Sequence, residues 1–376
     1  MSLRAVLHVS ANRYPPLPQE HHTLSIWRQL APVADEYHVV ARAAGGAASE
    51  TRADNIVLHL LSSRMERQAE IFLLERQLNA VAAKVRPEVI VAQCPVMGGR
   101  AAARYASATG TPLFVEMHGE NLFRSAGEDT VRGRLFRRLA RPVLEQAAVV
   151  RVLSDHMLRA LEESYGPGVA AKAVVVPTRV DLEVFSPAKV DYCRHGALRI
   201  ITVGSFVPLK NHLELIEAMS ELPDTTLSLV GQGPLESDYR ARIRDLGMEH
   251  RVTLHPWVSH DELATLLARH DVYVHYSTTE ALSRAILEAM AIGLPVVATN
   301  VGFVQGVLRD GQNALLLDQP WRASLHAALR RLGEHETVRR ELGVQARRTI
   351  EEGFSAASVF RSYRSEITRA AGVGRR

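Results

Sequence analysis

Cysteine is nearly absent from this sequence: Cys94 and Cys193 are the two in 376 residues. Two such residues make neither a disulfide framework nor a metal-ligand cluster, and they suit a reducing, cytoplasmic setting. Long apolar runs are missing too. No segment reaches the roughly 18 apolar residues of a membrane span. The chain opens directly into a strand-like run, Leu3 to Val9, with no signal-peptide pattern ahead of it. Charge of one sign is scarce, since 45 Lys and Arg against 41 Asp and Glu leave a net +4. That mild basicity suits anionic small ligands or a membrane surface. It lacks the concentrated basic patch with aromatics that a nucleic-acid binder needs. No G-x-G-x-x-G opens either half where a dinucleotide would sit, which weighs against NAD or FAD. No Asp-x-Asp pair stands at a strand end to hold a divalent ion, so neither a metal nor a resident cofactor is expected.

What is present is alternation. Short Val- and Ile-rich runs recur, each followed by a stretch of helical periodicity. In the first half the strands are expected at Arg4–Ser10, Tyr37–Ala41, Asn55–Leu60, Glu88–Gln93, Leu113–His118, Ala148–Leu153 and Ala173–Pro177. Helices fill Glu20–Val33, Met65–Lys84, Gly99–Ala108, Thr130–Gln146 and Asp155–Tyr165. The second half repeats the pattern from Arg199, and after Leu317 it becomes purely helical, ending in Ala356–Ala370. Continuous apolar strands between helices imply parallel sheets covered on both faces. The alternation breaks once, in the polar, Pro- and Gly-containing stretch from Phe185 to Ala197. The expectation is therefore an α/β chain of two Rossmann-like domains, 1–190 and 191–353, with a helical tail from about 354. Ligands of open parallel sheets bind beyond the carboxyl ends of the strands, so two sheets facing a central cleft would hold a ligand between them.

Three stretches of the second half carry chemistry. Ser277-Thr278-Thr279-Glu280 forms a polar turn after the apolar run Val272 to His275, and Ser283 is placed to cap a helix that contains Glu288. A helix start carries partial positive charge, so this is a plausible cradle for a phosphorylated, hydroxyl-rich ligand. Glu288 otherwise reads as a solvated helix glutamate, a reading its neighbours Leu287, Ala289 and Met290 make uncomfortable. The loop Gly204-Ser205 to Lys210 follows the first strand of this half; its lysine either meets phosphate oxygens or is simply solvated. Gly231-Gln232-Gly233-Pro234 follows the next strand, either leaving backbone open to a flat ring or making a plain turn.

Taken in order, Lys210, Gly231-x-Gly233-Pro234, Glu280-x7-Glu288 and Gly293-x-Pro295-Val296-Val297 resemble the retaining glycosyltransferases of family 4. Val115-Glu116-Met117-His118-Gly119 and the stretch from Val174 to Pro187 resemble first-domain and linker segments of that family. The resemblance covers nearly the whole chain. It implies the GT-B fold, with a final helix crossing back to the first domain, and a nucleotide-diphosphate sugar held mainly by the second domain. It also implies roles. Lys210 would neutralise the departing diphosphate, helped by Ser205, Gly231, Gly233 and the N–H groups at Leu282, Ser283 and Arg284. Glu288 would accept hydrogen bonds from ribose hydroxyls, Glu280 would face the donor sugar, and His118 would reach the sugar or the leaving phosphate. The alternative for His118 is a strand-end histidine bonded to backbone. Several positions depart from the family. Ser205 stands where an arginine usually follows the glycine, with Arg284 a candidate substitute. Gly302-Phe303 and Gly306 replace a glycine pair and a glutamate, and Leu17-Pro18 replaces a Gly-Gly.

Arg13, His21, His22 and Arg100 lie near first-domain strand ends and are the weaker candidates for acceptor binding. The stretch Thr130–Gln146 carries Arg132, Arg134, Arg137, Arg138 and Arg141 among apolar residues. It is either a basic amphipathic helix for an anionic bilayer, at the inner face of a membrane, or a helix packed on its sheet with a solvated face. The function implied is a retaining, metal-independent transfer of a sugar to an acceptor hydroxyl, as in synthesis of glycoconjugates, polysaccharides or glycosylated metabolites. Its rivals are a nucleotide-sugar epimerase, a phosphorylase, and a non-catalytic nucleotide-sugar-binding subunit.

Overall fold

The apolar runs become parallel strands because their β-branched side chains fill both faces of a sheet. In the computed structural model, residues 2–19, 21–62, 70–118, 122–123, 131–186, 189–280 and 282–373 are described, with the side chains at 11, 22, 70–74 and 132 outside that description. They form two units, residues 1–176 with 360–376, and residues 177–359.

The first unit runs β1 (Leu3–Tyr14), α1 (His22–Leu30), β2 (Ala34–Ala43), β3 (Ser49–Ala53), β4 (Ile56–Leu61), α2 (Glu70–Val85), β5 (Val89–Ala92) and α3 (Gly99–Thr109). It continues through β6 (Leu113–Glu116), α4 (Val131–Gln146), β7 (Val149–Val152), α5 (Asp155–Tyr165), α6 (Pro167–Ala170) and β8 (Ala173–Val175). Its strands lie in the order β3-β4-β2-β1-β5-β6-β7-β8. One strand corrects the all-parallel expectation. Ser49–Ala53 pairs antiparallel with β4, and its mostly polar sequence suits an edge with one exposed face. The expected helix starts at Glu20, Met65 and Thr130 fall outside the described residues.

The second unit runs β9 (Leu198–Val203), α7 (His212–Ser220), β10 (Thr225–Val230), α8 (Glu236–Asp245), β11 (Val252–His255), α9 (His260–Ala268), β12 (Val272–His275) and α10 (Arg284–Ile292). Then follow β13 (Val296–Thr299), β14 (Leu315–Leu317), α11 (Trp321–Glu334), α12 (Glu336–Gly353) and α13 (Ala356–Val373). The strand order is β11-β10-β9-β12-β13-β14, and every pairing in this sheet is parallel. Period-two alternation along β9 sends Ile201 and Val203 into one apolar cluster and Leu198 and Ile200 into another, so both faces are covered.

The division between units falls at Val176/Pro177, earlier than the polar stretch at 185–197 suggested. Anchors from Val180 onward explain the shift. The Val180 N–H donates to Phe354 O at 2.9 Å, the Lys189 N–H donates to Ile292 O at 2.7 Å, and the Tyr192 hydroxyl donates to Gly293 O at 2.8 Å. Phe185 is buried in the second unit's core. α13 carries an apolar stripe of Phe360, Tyr363, Ile367, Ala370 and Ala371, all buried, and its residues from 360 onward belong to the first unit. There Tyr363 stacks on Phe114, its ring lies under the Arg151 guanidinium, and its hydroxyl donates to Glu116. Glu116 and Arg151 sit opposite each other on β6 and β7 and form a buried ion pair at 2.6 Å.

Candidate functional site

The loop after β9 is fixed by backbone contacts to the loop after β10. The Gly204 N–H donates to Val230 O at 3.0 Å, the Phe206 N–H to Gln232 O at 2.9 Å, and the Leu235 N–H to Phe206 O at 3.2 Å. Such close approach needs glycine. A Cβ on Gly231 would stand 2.0 Å from Gly204 O, and one on Gly233 would stand 2.5 Å from Phe206 O. These two glycines therefore set the loop-to-loop distance. Phe206 is buried against Tyr239 and His212. From that anchor the chain passes through a 3-10 turn, Pro208–Lys210, and Asn211 in the left-handed region (φ 53°) turns it into α7.

This geometry delivers Lys210 to Glu280. The Thr278 N–H donates to Leu209 O at 2.9 Å, tying the two loops together, and Lys210 Nζ lies 2.5 Å from Glu280 Oε2. His275, at the end of β12, reaches the same oxygen with Nε2 at 2.8 Å. Glu280's backbone is fixed as well, its carbonyl accepting the Phe303 N–H at 2.9 Å. Burial pushes the Glu280 carboxyl up, but His275 and Lys210 outweigh burial and hold it at about 2. Glu280 is thus an ionised carboxylate with two donors on one oxygen.

α10 begins beside it at Arg284. Ser283 occupies the N-cap position, but its side chain makes no capping hydrogen bond, contrary to the sequence expectation. One turn further, Glu288 is 9% exposed. Burial raises its pKa above the ordinary glutamate value, while Arg284 and His260 pull the other way. His260 Nε2 stands 3.9 Å from Glu288 Oε1. A cavity of about 300 Å³ collects these groups: Gly204, Ser205, Lys210, Glu280, Leu282, Ser283, Arg284 and Glu288 line it, with Trp257, Val258 and His260. Trp257 and His260 are wall residues that sequence reading missed, since each lies in a short polar stretch without a motif; His275 was missed because it sits inside an apolar run. Among the described residues no group of three or more His, Cys, Asp or Glu could hold a metal ion.

The remaining candidates lie in the first unit. His118, 38% exposed at its side chain, follows β6 and places Nε2 3.2 Å from Glu116 Oε2, so it is bonded to a buried carboxylate and not to backbone. Arg13 is exposed at the end of β1. His21 serves as N-cap of α1, its Nδ1 accepting the Leu24 N–H at 3.2 Å while its ring packs on Tyr14 and Trp27. The side chain of His22 lies outside the described residues. Arg100 lines a second cavity of about 390 Å³ with Arg104, Arg138, Leu135 and Leu139. On α4, Arg137 donates to Phe123 O at 2.9 Å, and Arg141 donates to Ser164 O at 3.0 Å and Tyr165 O at 3.2 Å. Two of the five arginines thus secure the fold, and the side chain of Arg132 lies outside the described residues. Among the described residues no helix is long and apolar enough to cross a membrane.

Comparison with known proteins places both halves. Residues 194–349 match the family described as glycosyl transferases group 1, and residues 19–179 match the glycosyl transferase 4-like domain. The lipopolysaccharide core biosynthesis glycosyltransferase LpsE of Rhizobium meliloti (strain 1021) is 26% identical over 295 residues, covering 77% of this chain and 78% of its own. A D-inositol 3-phosphate glycosyltransferase of Arthrobacter sp. (strain FB24) is 32% identical over 211 residues, and that match spans about half of each chain (51% and 50%). Among solved structures, sucrose-phosphate synthase from Thermosynechococcus elongatus superimposes with a TM-score of 0.80 at 19% identity, covering 97% of this chain and 98% of that one. Anabaena HepE, solved with UDP-glucose, gives 0.76 at 18% identity, covering 97% and 99%.

Proposed function

Because this chain belongs to the group 1 glycosyltransferases of family 4, retaining enzymes of GT-B fold that move a sugar from a nucleotide diphosphate to an acceptor hydroxyl, we propose that the second-unit cavity is its donor site. The observation that carries this reading is the convergence of Lys210, Glu280, the start of α10 and Glu288 on one space of about 300 Å³. The diphosphate lies at the α10 start, where the N–H groups of Leu282, Ser283 and Arg284 and the partial positive charge of the helix favour an anion. As the glycosidic bond breaks, negative charge grows on the leaving phosphate. A cation fixed nearby lowers that barrier electrostatically. Lys210 is that cation, and it turns from Glu280 towards the phosphate when the donor enters. Glu280 then faces the sugar, accepting hydroxyl hydrogens and favouring positive charge near the anomeric carbon. Glu288 accepts the ribose hydroxyls, and the indole of Trp257, 59% exposed at the cavity, offers a face to the base. Lys210 and the helix start supply the countercharge that a divalent ion gives in other transferases.

UDP is the first nucleotide to try, since HepE was solved with UDP-glucose. A ligand bound only by the folded state raises the unfolding temperature, so a thermal-shift panel of UDP-, GDP- and ADP-sugars selects the donor. With that donor, Lys210→Ala is expected to lower turnover about 100-fold or more, and EDTA to leave the wild-type rate unchanged. Undiminished turnover in Lys210→Ala would sink the assignment. Turnover without any acceptor to an epimeric sugar would indicate an epimerase, and a requirement for inorganic phosphate a phosphorylase.

The acceptor side rests on the first unit. His118, backed by Glu116, is the first unit's candidate for the sugar or leaving-phosphate role that the family resemblance implies, and Arg13 and Arg100 are its candidates for an anionic acceptor. The exposed residues Val131, Leu135 and Arg138 of α4, beside Arg100 and Arg104, form a basic and apolar surface suited to anionic lipid. Sedimentation with phosphatidylglycerol vesicles at low salt tests that contact, and no difference from phosphatidylcholine vesicles would remove it.

A further inference from the structure

Glu280 has a second partner besides Lys210. The His275 ring is 2% exposed, and its Nε2 lies 2.8 Å from Glu280 Oε2, the oxygen that Lys210 also holds. Ser277 Oγ stands 3.0 Å from the same nitrogen. On the other side of the ring, the Tyr273 hydroxyl stands 3.4 Å from Nδ1, and Tyr273 stacks nearly parallel to the imidazole at 18°. Burial lowers the His275 pKa and raises that of Tyr273, so a neutral imidazole faces a protonated phenol. The phenol donates to Nδ1, which leaves the one ring proton on Nε2, aimed at the carboxylate.

We propose that His275 is a positioning residue for Glu280, holding Oε2 in the cavity at the moment Lys210 turns from it to the donor's diphosphate. This rests on the cavity being the donor site. A neutral donor suits the task. A second cation would cancel the charge that Glu280 presents to the sugar, whereas an imidazole N–H fixes the oxygen and leaves that charge in place. The ring is itself immobile: it sits at the end of a central strand, its residue opposite Ala298 of β13, with both nitrogens engaged. The imidazole therefore acts on Glu280 and does not touch the diphosphate.

The test separates nucleotide binding from sugar transfer. In His275→Leu, the Kd for UDP stays within about twofold of wild type, while turnover of the best UDP-sugar falls about tenfold or more, as for loss of a hydrogen bond to a charged group. His275→Gln, whose amide N–H takes the place of Nε2–H, restores most of that turnover. A pH profile of kcat at saturating donor adds a readout that mere packing would not move. The groups facing the pair are Lys210, Tyr273, Ser277, His212 on α7 and Glu288 on α10. Losing the His275 hydrogen bond removes a contact that holds the Glu280 pKa down, so the acidic limb of His275→Leu moves to higher pH. Should the leucine variant fold poorly, His275→Met fills the space with a flexible side chain and is read the same way. Unchanged turnover, an equal loss of UDP binding and turnover, or no rescue by a folded His275→Gln overturns the proposal. If the wild-type protein itself binds no nucleoside diphosphate and turns over no nucleotide sugar, the donor-site reading falls and takes this one with it.

Discussion

At the scale of single residues, Glu288 works against the stability of the chain that carries it. It is 9% exposed, and burial lifts its pKa above the ordinary glutamate value despite Arg284 and His260. An acid whose folded pKa is raised binds more protons folded than unfolded. Its stabilising contribution is then full below the unfolded pKa and is lost as pH rises through the folded one. At neutral pH the ionised group is a cost, which ribose hydroxyls would offset on the proposed donor reading. Glu288→Gln is therefore expected to raise the unfolding temperature at pH 7 and to weaken UDP binding about tenfold or more. Calorimetry and UDP titration on the same variant check both signs; a variant that loses stability and keeps affinity would show Glu288 to be structural. The wild-type donor KM should likewise rise as pH falls through that raised pKa. Lys210, Glu280 and Glu288 were legible in the sequence because a motif with fixed spacing names them. His275 was not, because a histidine inside Val272–His275 reads as core until the fold brings Glu280 round to meet it. The capping duty of His21 was not legible either, because a histidine near a strand end reads as exposed until α1 is seen to start at it.

At the scale of elements, the site is a matter of how two strand-end loops meet. Sequence reading placed the strands and helices well wherever apolar period and length agreed, as in β9, β10, β12 and α10. It missed β3, whose Ser49-Glu50-Thr51-Arg52-Ala53 has little apolar content and becomes a strand only through pairing with β4. It also read Phe185 to Ala197 as a linker, because composition cannot show that Phe185 and Tyr192 find partners in the second unit. The glycines between β10 and α8 were visible, but their purpose was not. Gly233 has room for no side chain: a Cβ would stand 2.5 Å from Phe206 O and 2.8 Å from Phe206 N. Those are backbone atoms, so the loop leading to Lys210 must move. Gly233→Ala is expected to cost about 1–3 kcal/mol, as overpacking does, and to weaken UDP binding through displacement of Lys210. Urea unfolding and UDP titration measure the two losses. A stable variant with wild-type affinity would mean that the Phe206 loop yields without disturbing the lysine.

At the scale of the whole molecule, the chain separates donor chemistry from the element that ends it. Every lining residue of the proposed donor cavity belongs to the second unit, whereas α13 completes the core of the first from residue 360 onward. Tyr363 is the centre of that completion. It stacks on Phe114 at 5.6 Å between centroids, lies under Arg151 at 4.4 Å, and gives its hydroxyl to Glu116, the carboxylate that holds His118. Truncating a buried aromatic costs about 3–5 kcal/mol, and here it also takes a donor from a buried ion pair, which is expensive to break. Tyr363→Ala should therefore lower the unfolding temperature of the first unit selectively. On the proposed donor site UDP would bind the second unit, so its stabilising effect, set by RT ln(1 + [L]/Kd), should survive the substitution unchanged. Calorimetry with and without UDP reads this as two transitions, one moved by the mutation and the other by the nucleotide. The Kd for UDP should hold, because every lining residue of the proposed donor cavity lies in the second unit. A single transition shifted by both would instead mean that the two units unfold together, and that the final helix stabilises the donor site as much as the unit it completes.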